Sequence, residues 1–291
     1  MQQLRPDQVC HRFSAQDSPY LRVEDGETFS VTTTDRFRDV SRTDPDFTKS
    51  EVVRSMNGPI HVEGVHAGDT LKVEFLSMAP AEPRAYILAL PGHGALGDQI
   101  PGFRMEVVDV TGKDAVFPNG TSAPIRPMLG LIGVAPEDGE AGMSATGPFG
   151  GLLSITDVTA SSALYLPVFH EGALLAMGDS HLAMGEGEAT SSAVEGSLNI
   201  TMRASRSRDI KVEGPLVITP EHVITFGRGD TMEEASHAAT LAMADLLMDR
   251  LDISAPDAAM LIGCGADLRT ALALYPPYSM KMLVPRSTAR L

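Results

Sequence analysis

Residues 164–188 read LYLPVFHEGALLAMGDSHLAMGEGE, an apolar segment that runs directly into a stretch rich in glycine and acid. The last eleven positions, GDSHLAMGEGE (178–188), hold one aspartate, one histidine and two glutamates among three glycines. The apolar part has the composition of a buried β-strand that ends where turn-forming residues begin. A carboxylate-rich turn at the end of a core strand indicates a functional site, because rigid elements commonly present functional loops.

Short apolar runs bounded by Gly, Pro, Asn or Asp recur through most of the chain. In TLKVEFL (70–76) and SLNITMRA (197–204), apolar and polar residues alternate, as on a strand with one buried face. We therefore expect residues 1–225 to form a mainly β domain, of sandwich or barrel type, that carries the acidic turn. Two segments without clear periodicity, 41–57 and 135–151, are predicted to be a linker and a long surface loop.

The pattern becomes helical in residues 226–291. Thr231 and Glu234 have the spacing of a capping box, and Ser254 and Asp257 repeat it before a shorter helix. The first helix is expected to bury one apolar stripe, formed by Leu241, Ala244, Met248 and Leu251. We expect this part to be a smaller, helix-containing portion packed on the β domain.

Composition limits the classes of function. The chain has 291 residues, of which 43% are hydrophobic and 21% charged, enough for a sizeable core without cross-links. A net charge of −15 without a basic stripe argues against binding to nucleic acid. No apolar run is long enough to span a bilayer, so no membrane partner is expected. The two distant cysteines, Cys10 and Cys264, and a start without a signal-type segment predict a cytoplasmic protein.

The acidic turn has the residue types of a metal site. Asp179 and His181 are two positions apart, so they point to the same side of an extended backbone, and Glu186 and Glu188 are related in the same way. One imidazole with several carboxylates suits a divalent ion, and a spare carboxylate can act as general base. A solvated acidic turn with one histidine is the alternative, and spacing alone does not decide between the two.

The segment LYLPVFHEGALLAMGDSHLAMGEGEATSSAVEG (164–196) resembles the signature of the acetamidase/formamidase family in its Gly-Asp-x-His, Gly-Glu-Gly-Glu and Val-Glu elements. TTTDRFRD, GPIHVEGVHAGDTLKVEF and GLIGVAP resemble other family segments in the same order. The resemblance implies a mostly β fold with a smaller α/β C-terminal portion. It also implies hydrolysis of small amides, such as formamide and acetamide, with release of ammonia, by a homodimer or higher homo-oligomer.

The same resemblance implies roles for individual residues. A divalent metal ion, zinc or calcium, is expected on Asp35, Asp179 and His181. Glu188 is the expected general base, with Glu186 and His181 beside it at the catalytic centre. Three further residues are expected near the substrate, the last because it lies in a glycine-rich loop: Gly151, Asp157 and His93.

One segment departs from the family pattern. Where the family has Gly-Gly-Asn-x-Asp, this chain has Gly-Gly-Leu-Leu-Ser, so Leu152 and Ser154 replace an amide and a carboxylate. Leucine can neither orient a substrate amide nor hold a metal. Two alternatives to amide hydrolysis therefore stay open: a scaffold that binds a small polar ligand without hydrolysing it, and an enzyme for a different substrate.

Overall fold

The computed structural model describes residues 1–38, 40 and 53–291, so most of the predicted linker 41–57 lies outside the described residues. The helices of this part of the chain are α1 (Met232–Leu251), α2 (Ala255–Gly265) and α3 (Arg286–Ala289), with one 3-10 turn at Gly97–Gln99. The strands are β1 (Gln3–Leu4), β2 (Val9–Cys10), β3 (Arg12–Ser14), β4 (Leu21–Val23), β5 (Thr28–Thr32), β6 (Met56–Val62), β7 (Thr70–Pro80), β8 (Arg84–Ala89), β9 (Arg104–Thr111), β10 (Asp114–Val116), β11 (Ser122–Pro124), β12 (Met128–Gly133), β13 (Glu140–Gly142), β14 (Thr146–Gly147), β15 (Gly150–Leu152), β16 (Ala163–Pro167), β17 (Leu175–Ala183), β18 (Val194–Glu195), β19 (Leu198–Arg206), β20 (Leu216–Ile218), β21 (His222–Gly229), β22 (Asp267–Leu272) and β23 (Tyr278–Pro285).

Two large sheets contain most of these strands. The first has nine strands in the order β1-β5-β19-β7-β16-β20-β21-β23-β22. The second follows the order β11-β10-β9-β8-β18-β17-β12-β15-β14, and β6 joins it by pairing with β17, β2 and β4. Neighbouring strands run antiparallel except in the pairs β1–β5 and β4–β6. The mainly β class predicted from the sequence is confirmed.

The main core lies between the two sheets. Leu71, Val73 and Phe75 of β7 are buried, whereas the intervening Lys72 and Glu74 are only half-buried, as the alternation in the sequence predicts. The same buried cluster contains residues of both sheets, among them Val73, Phe75, Ile200, Met202, Ile60, Leu131, Leu175 and Met177. Both inner faces are therefore removed from water together, which provides the main driving force for this architecture.

A second cluster covers the outer face of the nine-stranded sheet near the C-terminus. Val217 and Ile224 belong to the main core, whereas their neighbours Leu216 and Val223 pack in the second cluster, with Met243 and Leu247 of α1. These strands are thus buried on both faces, which explains why their sequence is apolar without alternation. None of the described helices is long and apolar enough to cross a lipid bilayer.

Both predicted capping boxes are present, at Thr231 with Glu234 and at Ser254 with Asp257. The predicted stripe on α1 is correct only in part: Ala244, Met248 and Leu251 pack partly buried against the second cluster, but the most buried face lies beside them. The fully buried residues are Ala235, Ala239, Met243 and Leu247. Leu241 is 48% exposed, because the helix lies closest to the sheet along its small residues.

The observed strands bear on two further predictions, the loop 135–151 and the boundary after residue 225. The segment 135–151, predicted to be a surface loop, contains β13 and β14 and the start of β15, because β13 pairs with β3 and β14 with β15. The predicted boundary between residues 225 and 226 falls inside β21. Strands β22 and β23, from the predicted C-terminal portion, extend the nine-stranded sheet through β21.

Helix α1 approaches the sheet closely at Gly227. A Cβ atom on this residue would overlap the backbone of Ala235 and Ala239. Gly227→Ala is therefore expected to lower the free energy of unfolding by about 2–3 kcal/mol, as overpacking against rigid neighbours does. Thermal denaturation followed by far-ultraviolet circular dichroism measures the effect.

Gly263→Ala is the matched control, because a Cβ atom at Gly263 in α2 meets nothing within 4 Å. It is expected to leave stability unchanged or raise it by up to about 1 kcal/mol, since alanine favours helices. Equal melting temperatures for Gly227→Ala and the unaltered protein would contradict the close approach of α1.

Candidate functional site

Strand pairing assembles the centre of the acidic region. Strand β17 carries Asp179 and His181, and β18 pairs with it so that Glu195 lies directly opposite His181. On its other side β18 pairs with β8, which makes it an internal strand of the sheet. Glu195 is therefore held in place by backbone pairing on both sides, although it is fourteen positions from His181.

Three side chains converge at this point. The Nε2 atom of His181 lies 3.2 Å from Oε1 of Glu195 and 3.5 Å from Oδ1 of Asp179. His181 is 1% exposed and Glu195 9%, and one ligand atom from each of the three residues lies within 4.8 Å of the others. His181 is thus buried within a strand. The glycine-rich sequence around it indicates an exposed turn, but His181 does not lie on one.

Asp179 has an unusual backbone conformation for a strand residue, with a φ of +52°. A Cβ atom on Gly130 of the adjacent strand β12 would lie only 2.5 Å from Oδ2 of Asp179, so this glycine leaves room for the carboxylate. Aspartate tolerates the left-handed region better than most residues, and strained backbone of this kind is concentrated at functional sites.

Arg36 enters the cluster from the segment that follows β5. Its Nη2 atom donates to Oδ1 of Asp179 and lies 3.3 Å from Oε2 of Glu195, while Nη1 donates to the carbonyl of Val53 at 3.1 Å. The side chain is 12% exposed. Burial alone would raise the pKa of Asp179, but the charges of Arg36 and His181 hold that pKa below its usual range.

The electrostatics of His181 follow from the same partners. Burial opposes protonation of the imidazole, but the carboxylates of Glu195 and Asp179 raise the pKa of His181 well above its usual value. With His181 protonated, two positive charges balance two negative ones. This neutrality explains how four ionisable groups can be buried together, since unpaired buried charges are costly.

Glu188 lies beside this cluster on the turn that follows β17. Its Oε2 atom accepts a hydrogen bond of 3.4 Å from the hydroxyl of Ser154. The backbone nitrogens of Leu153 and Ser154 both donate to the carbonyl of Gly130 at 2.9 Å, which fixes the position of Ser154. Burial is the main cause that raises the pKa of Glu188 to about 7, and the nearby carboxylates of Asp179 and Glu195 act in the same direction.

Glu186, two residues earlier, has a different partner. Its Oε1 atom lies 2.7 Å from Nζ of Lys281, a lysine with no exposed surface on β23. The same Nζ lies 2.5 Å from Oδ2 of Asp157 and 3.4 Å from the hydroxyl of Thr156. Glu186 and Asp157 therefore form a second cluster around Lys281, and the two glutamates of the turn do not face the same group.

The other predicted site residues occupy varied surroundings. Asp35 accepts hydrogen bonds from the backbone nitrogens of Phe37 and Arg38, and it is not part of the Asp179 group that could hold a metal. Gly151 lies in β15, where a side chain would overlap the carbonyl of Ala145. His93 is exposed in the loop after β8. The predicted roles of these residues in binding metal or substrate stay predictions.

Three residues of these clusters were not assigned by sequence reasoning: Arg36, Glu195 and Lys281. Of the three, Glu195 alone could have been predicted as a site residue, because it belongs to the Val-Glu element of the family pattern. Arg36 follows the predicted ligand Asp35, and Lys281 stands in an apolar strand without any motif around it.

Known proteins resemble this chain in sequence and in fold. The model of the Acetamidase/Formamidase family matches residues 143–236, a range that contains β17, β18 and the turn with Glu188. No curated protein matches the chain.

Solved structures are similar over nearly the whole chain. A predicted acetamidase/formamidase from the thermophile Thermoanaerobacter tengcongensis has a TM-score of 0.92 and 28% identity, covering 99% of this chain and 96% of its own. An acetamidase from Bacillus halodurans has a TM-score of 0.91 and 28% identity, with coverage of 98% and 97%.

An acetamidase from Yersinia enterocolitica shares the fold at 22% identity, with a TM-score of 0.88 and coverage of 99% and 92%. The resemblance noted in the sequence is therefore confirmed: the chain has the fold of the acetamidase/formamidase family over nearly its whole length and the sequence pattern of that family over residues 143–236.

Proposed function

We propose that this protein is a metal-assisted hydrolase of small amides, which releases ammonia. The observation that carries the proposal is the convergence of Asp179, His181 and Glu195 beside Glu188, within the fold of the acetamidases/formamidases. The family and its solved structures support amide hydrolysis in general. The metal and the choice of a formamide-like or acetamide-like substrate are part of the proposal.

The residues of the central cluster fit a divalent cation. Although carboxylate oxygens lie nearby, neither ring nitrogen of His181 has a well-oriented hydrogen-bond partner among the described residues, which is unusual for a buried imidazole. Zinc accepts imidazole nitrogen and carboxylate oxygen as ligands, and catalytic zinc sites commonly have three protein ligands, the number that this cluster offers. Calcium requires six to eight oxygen ligands, so this donor set favours zinc over calcium.

Asp179, His181 and Glu195 would hold the ion, which when bound supplies a Lewis acid for the amide carbonyl. Glu188 is suited to move the proton. In its ionised form it takes a proton from the water that attacks the carbonyl carbon, and it then delivers this proton to the nitrogen as the C–N bond breaks. A pKa of about 7 allows the same carboxyl group to act as base and then as acid near neutral pH.

Ser154 supports this role for Glu188. The residue stands where the family pattern has an aspartate, and its hydroxyl donates to the carboxylate of Glu188. A second carboxylate at that position would repel Glu188, whereas a hydroxyl stabilises the ionised form that accepts a proton. The departure from the family pattern is therefore compatible with proton transfer by Glu188.

The replacement at Leu152 supports a second candidate function, a scaffold that binds a small polar ligand without hydrolysing it. Leu152 is partly buried against the main core and has no polar side-chain atom to orient an amide. One assay distinguishes the two candidate functions. Ammonia release from formamide, acetamide or a longer amide by the unaltered protein supports the hydrolase; activity that appears only after Leu152→Asn with Ser154→Asp supports the binding scaffold.

The first prediction of this proposal concerns the metal. His181→Gln and Glu195→Gln are each expected to weaken zinc binding by more than the roughly 10–100-fold that loss of an indirect partner costs, because each removes a ligand. Zinc content after dialysis and isothermal titration calorimetry measure this effect, and ammonia release is expected to fall in parallel.

His66→Gln and Glu171→Gln are the matched controls, because these two residues form an exposed pair at 2.8 Å elsewhere on the surface. Both controls are expected to bind zinc as the unaltered protein does. If His181→Gln and Glu195→Gln also bind zinc normally, the metal site lies elsewhere.

The second prediction is that Glu188→Gln abolishes ammonia release but stabilises the protein at alkaline pH. The raised pKa of Glu188 means that its contribution to stability is fully present below about 4.5, the ordinary pKa, and is lost as the pH rises through about 7. At pH 8 the ionised side chain costs roughly 3 kcal/mol, at about 1.4 kcal/mol for each pKa unit. Glutamine avoids this cost.

Melting temperatures of metal-free protein at pH 5 and pH 8 measure this effect. Glu188→Gln is expected to melt well above the unaltered protein at pH 8 and close to it at pH 5. Glu186→Gln is the control on the same turn, and no gain in melting temperature between pH 5 and pH 8 is expected for it. A lower melting temperature for Glu188→Gln at pH 8 would show that the ionised carboxylate is not destabilising.

The third prediction concerns the pH profile of the reaction. The value of kcat/KM is expected to rise with pH as Glu188 loses its proton, with an acid limb near or below 7, since a bound cation favours the carboxylate. Ser154→Ala removes a hydrogen bond that lowers the pKa of Glu188, so it is expected to move this limb to higher pH. An unchanged limb in Ser154→Ala would exclude Glu188 as the group that titrates.

A further inference from the structure

The guanidinium group of Arg36 contacts the two carboxylates that the proposed metal requires. It donates to Oδ1 of Asp179, the same oxygen that lies 3.5 Å from Nε2 of His181, and it lies 3.3 Å from Oε2 of Glu195. A metal between the three side chains needs lone pairs of these carboxylates, and Arg36 already engages them.

The position of Arg36 is well defined by other contacts. Its second terminal nitrogen donates to the carbonyl of Val53 at 3.1 Å, and its guanidinium carbon lies 5.4 Å from the centre of the Phe37 ring. The side chain is 12% exposed, in contrast to the neighbouring Arg38, which is 53% exposed and pairs with Glu82. Arg36 is therefore a buried member of the cluster.

The arginine and a divalent ion compete for the same carboxylate oxygen. Oδ1 of Asp179, which Arg36 contacts, is also the oxygen that faces Nε2 of His181, where an ion held by both residues would lie. A guanidinium group and a divalent ion at one carboxylate oxygen repel each other, and a protein interior screens this repulsion only weakly.

We propose that Arg36 and the divalent ion are alternative occupants of the Asp179–Glu195 pair, so that Arg36 sets the affinity of the protein for metal. Without metal, Arg36 holds the two carboxylates together. Metal binding requires Arg36 to leave both carboxylates. This inference rests on the proposed function only for the presence of a divalent ion at this pair.

The test is the affinity of Arg36→Met for zinc, measured by calorimetry and by competition with a chelator at one fixed pH. Methionine keeps much of the length of the side chain but removes its charge and its donors. Zinc is expected to bind Arg36→Met at least tenfold more tightly than it binds the unaltered protein, because no cation has to be displaced. Arg38→Met, on the same segment but exposed, is the control and is expected to show an unchanged affinity.

Equal or weaker binding of zinc to Arg36→Met would overturn the inference. Because Arg36→Met removes the guanidinium group from two buried carboxylates, its metal-free form is expected to melt at a lower temperature, and zinc is expected to raise its melting temperature more than that of the unaltered protein. If Arg36→Met does not fold, Arg36→Lys decides. Its shorter side chain reaches the carboxylates less well, so tighter zinc binding supports the inference and equal or weaker binding contradicts it.

Ammonia release is assayed separately, so that the two proposals can fail independently. If zinc binds Arg36→Met more tightly but no variant releases ammonia from an amide, the competition stands and the hydrolase proposal fails. If the unaltered protein hydrolyses amides with zinc but Arg36→Met has the same zinc affinity, the hydrolase proposal stands and the competition fails.

Discussion

The buried ion pair between Arg36 and the carboxylates of Asp179 and Glu195 imposes a constraint on everything around it. Charged groups that are removed from water must be paired with neighbouring groups. Solvent contributes little here, because His181 and Arg36 are almost fully buried. The backbone conformation around the cluster is consistent with this requirement. Asp179 adopts a left-handed conformation next to a glycine, and β18 is paired on both sides so that Glu195 is fixed opposite His181.

The cluster around Lys281 obeys the same rule and serves a different purpose. Lys281 is fully buried, and Asp157 and Glu186 neutralise it from two separate segments of the chain. One of these segments also carries Ser154, and the other carries Glu188. The lysine thus holds together the two segments whose side chains meet in the Ser154–Glu188 hydrogen bond, and it limits the positions that Glu188 can take relative to the central cluster.

Local patterns in the sequence predicted the features that depend on neighbouring residues. The two capping boxes follow from a spacing of three residues, and the alternation in β7 follows from the two-residue period of a strand. The buried face of α1 was not predictable in the same way. Its register depends on how closely the helix can approach the sheet at Gly227, which allows small residues to lie nearest and leaves Leu241 in solvent.

Distance along the sequence also determined which site residues could be predicted. Asp179 and His181 were found because they are close in sequence, whereas Arg36 and Lys281 come from segments far from either residue. The different partners of Glu186 and Glu188 were also beyond the sequence. Positive φ angles at Gly187 and Glu188 break the extended geometry that would direct both side chains to one side.

The distribution of these residues along the chain has a consequence for biosynthesis. The two clusters join positions from 36 to 281, and the lysine that restrains the acidic turn lies in β23, which is synthesised after both of its carboxylate partners. Contacts between distant parts of a chain form late, because the entropy of closing long loops must be overcome first. A chain still emerging from the ribosome therefore holds Asp157 and Glu186 without their buried partner. The arrangement around Glu188 is completed only when β23 pairs with its neighbours.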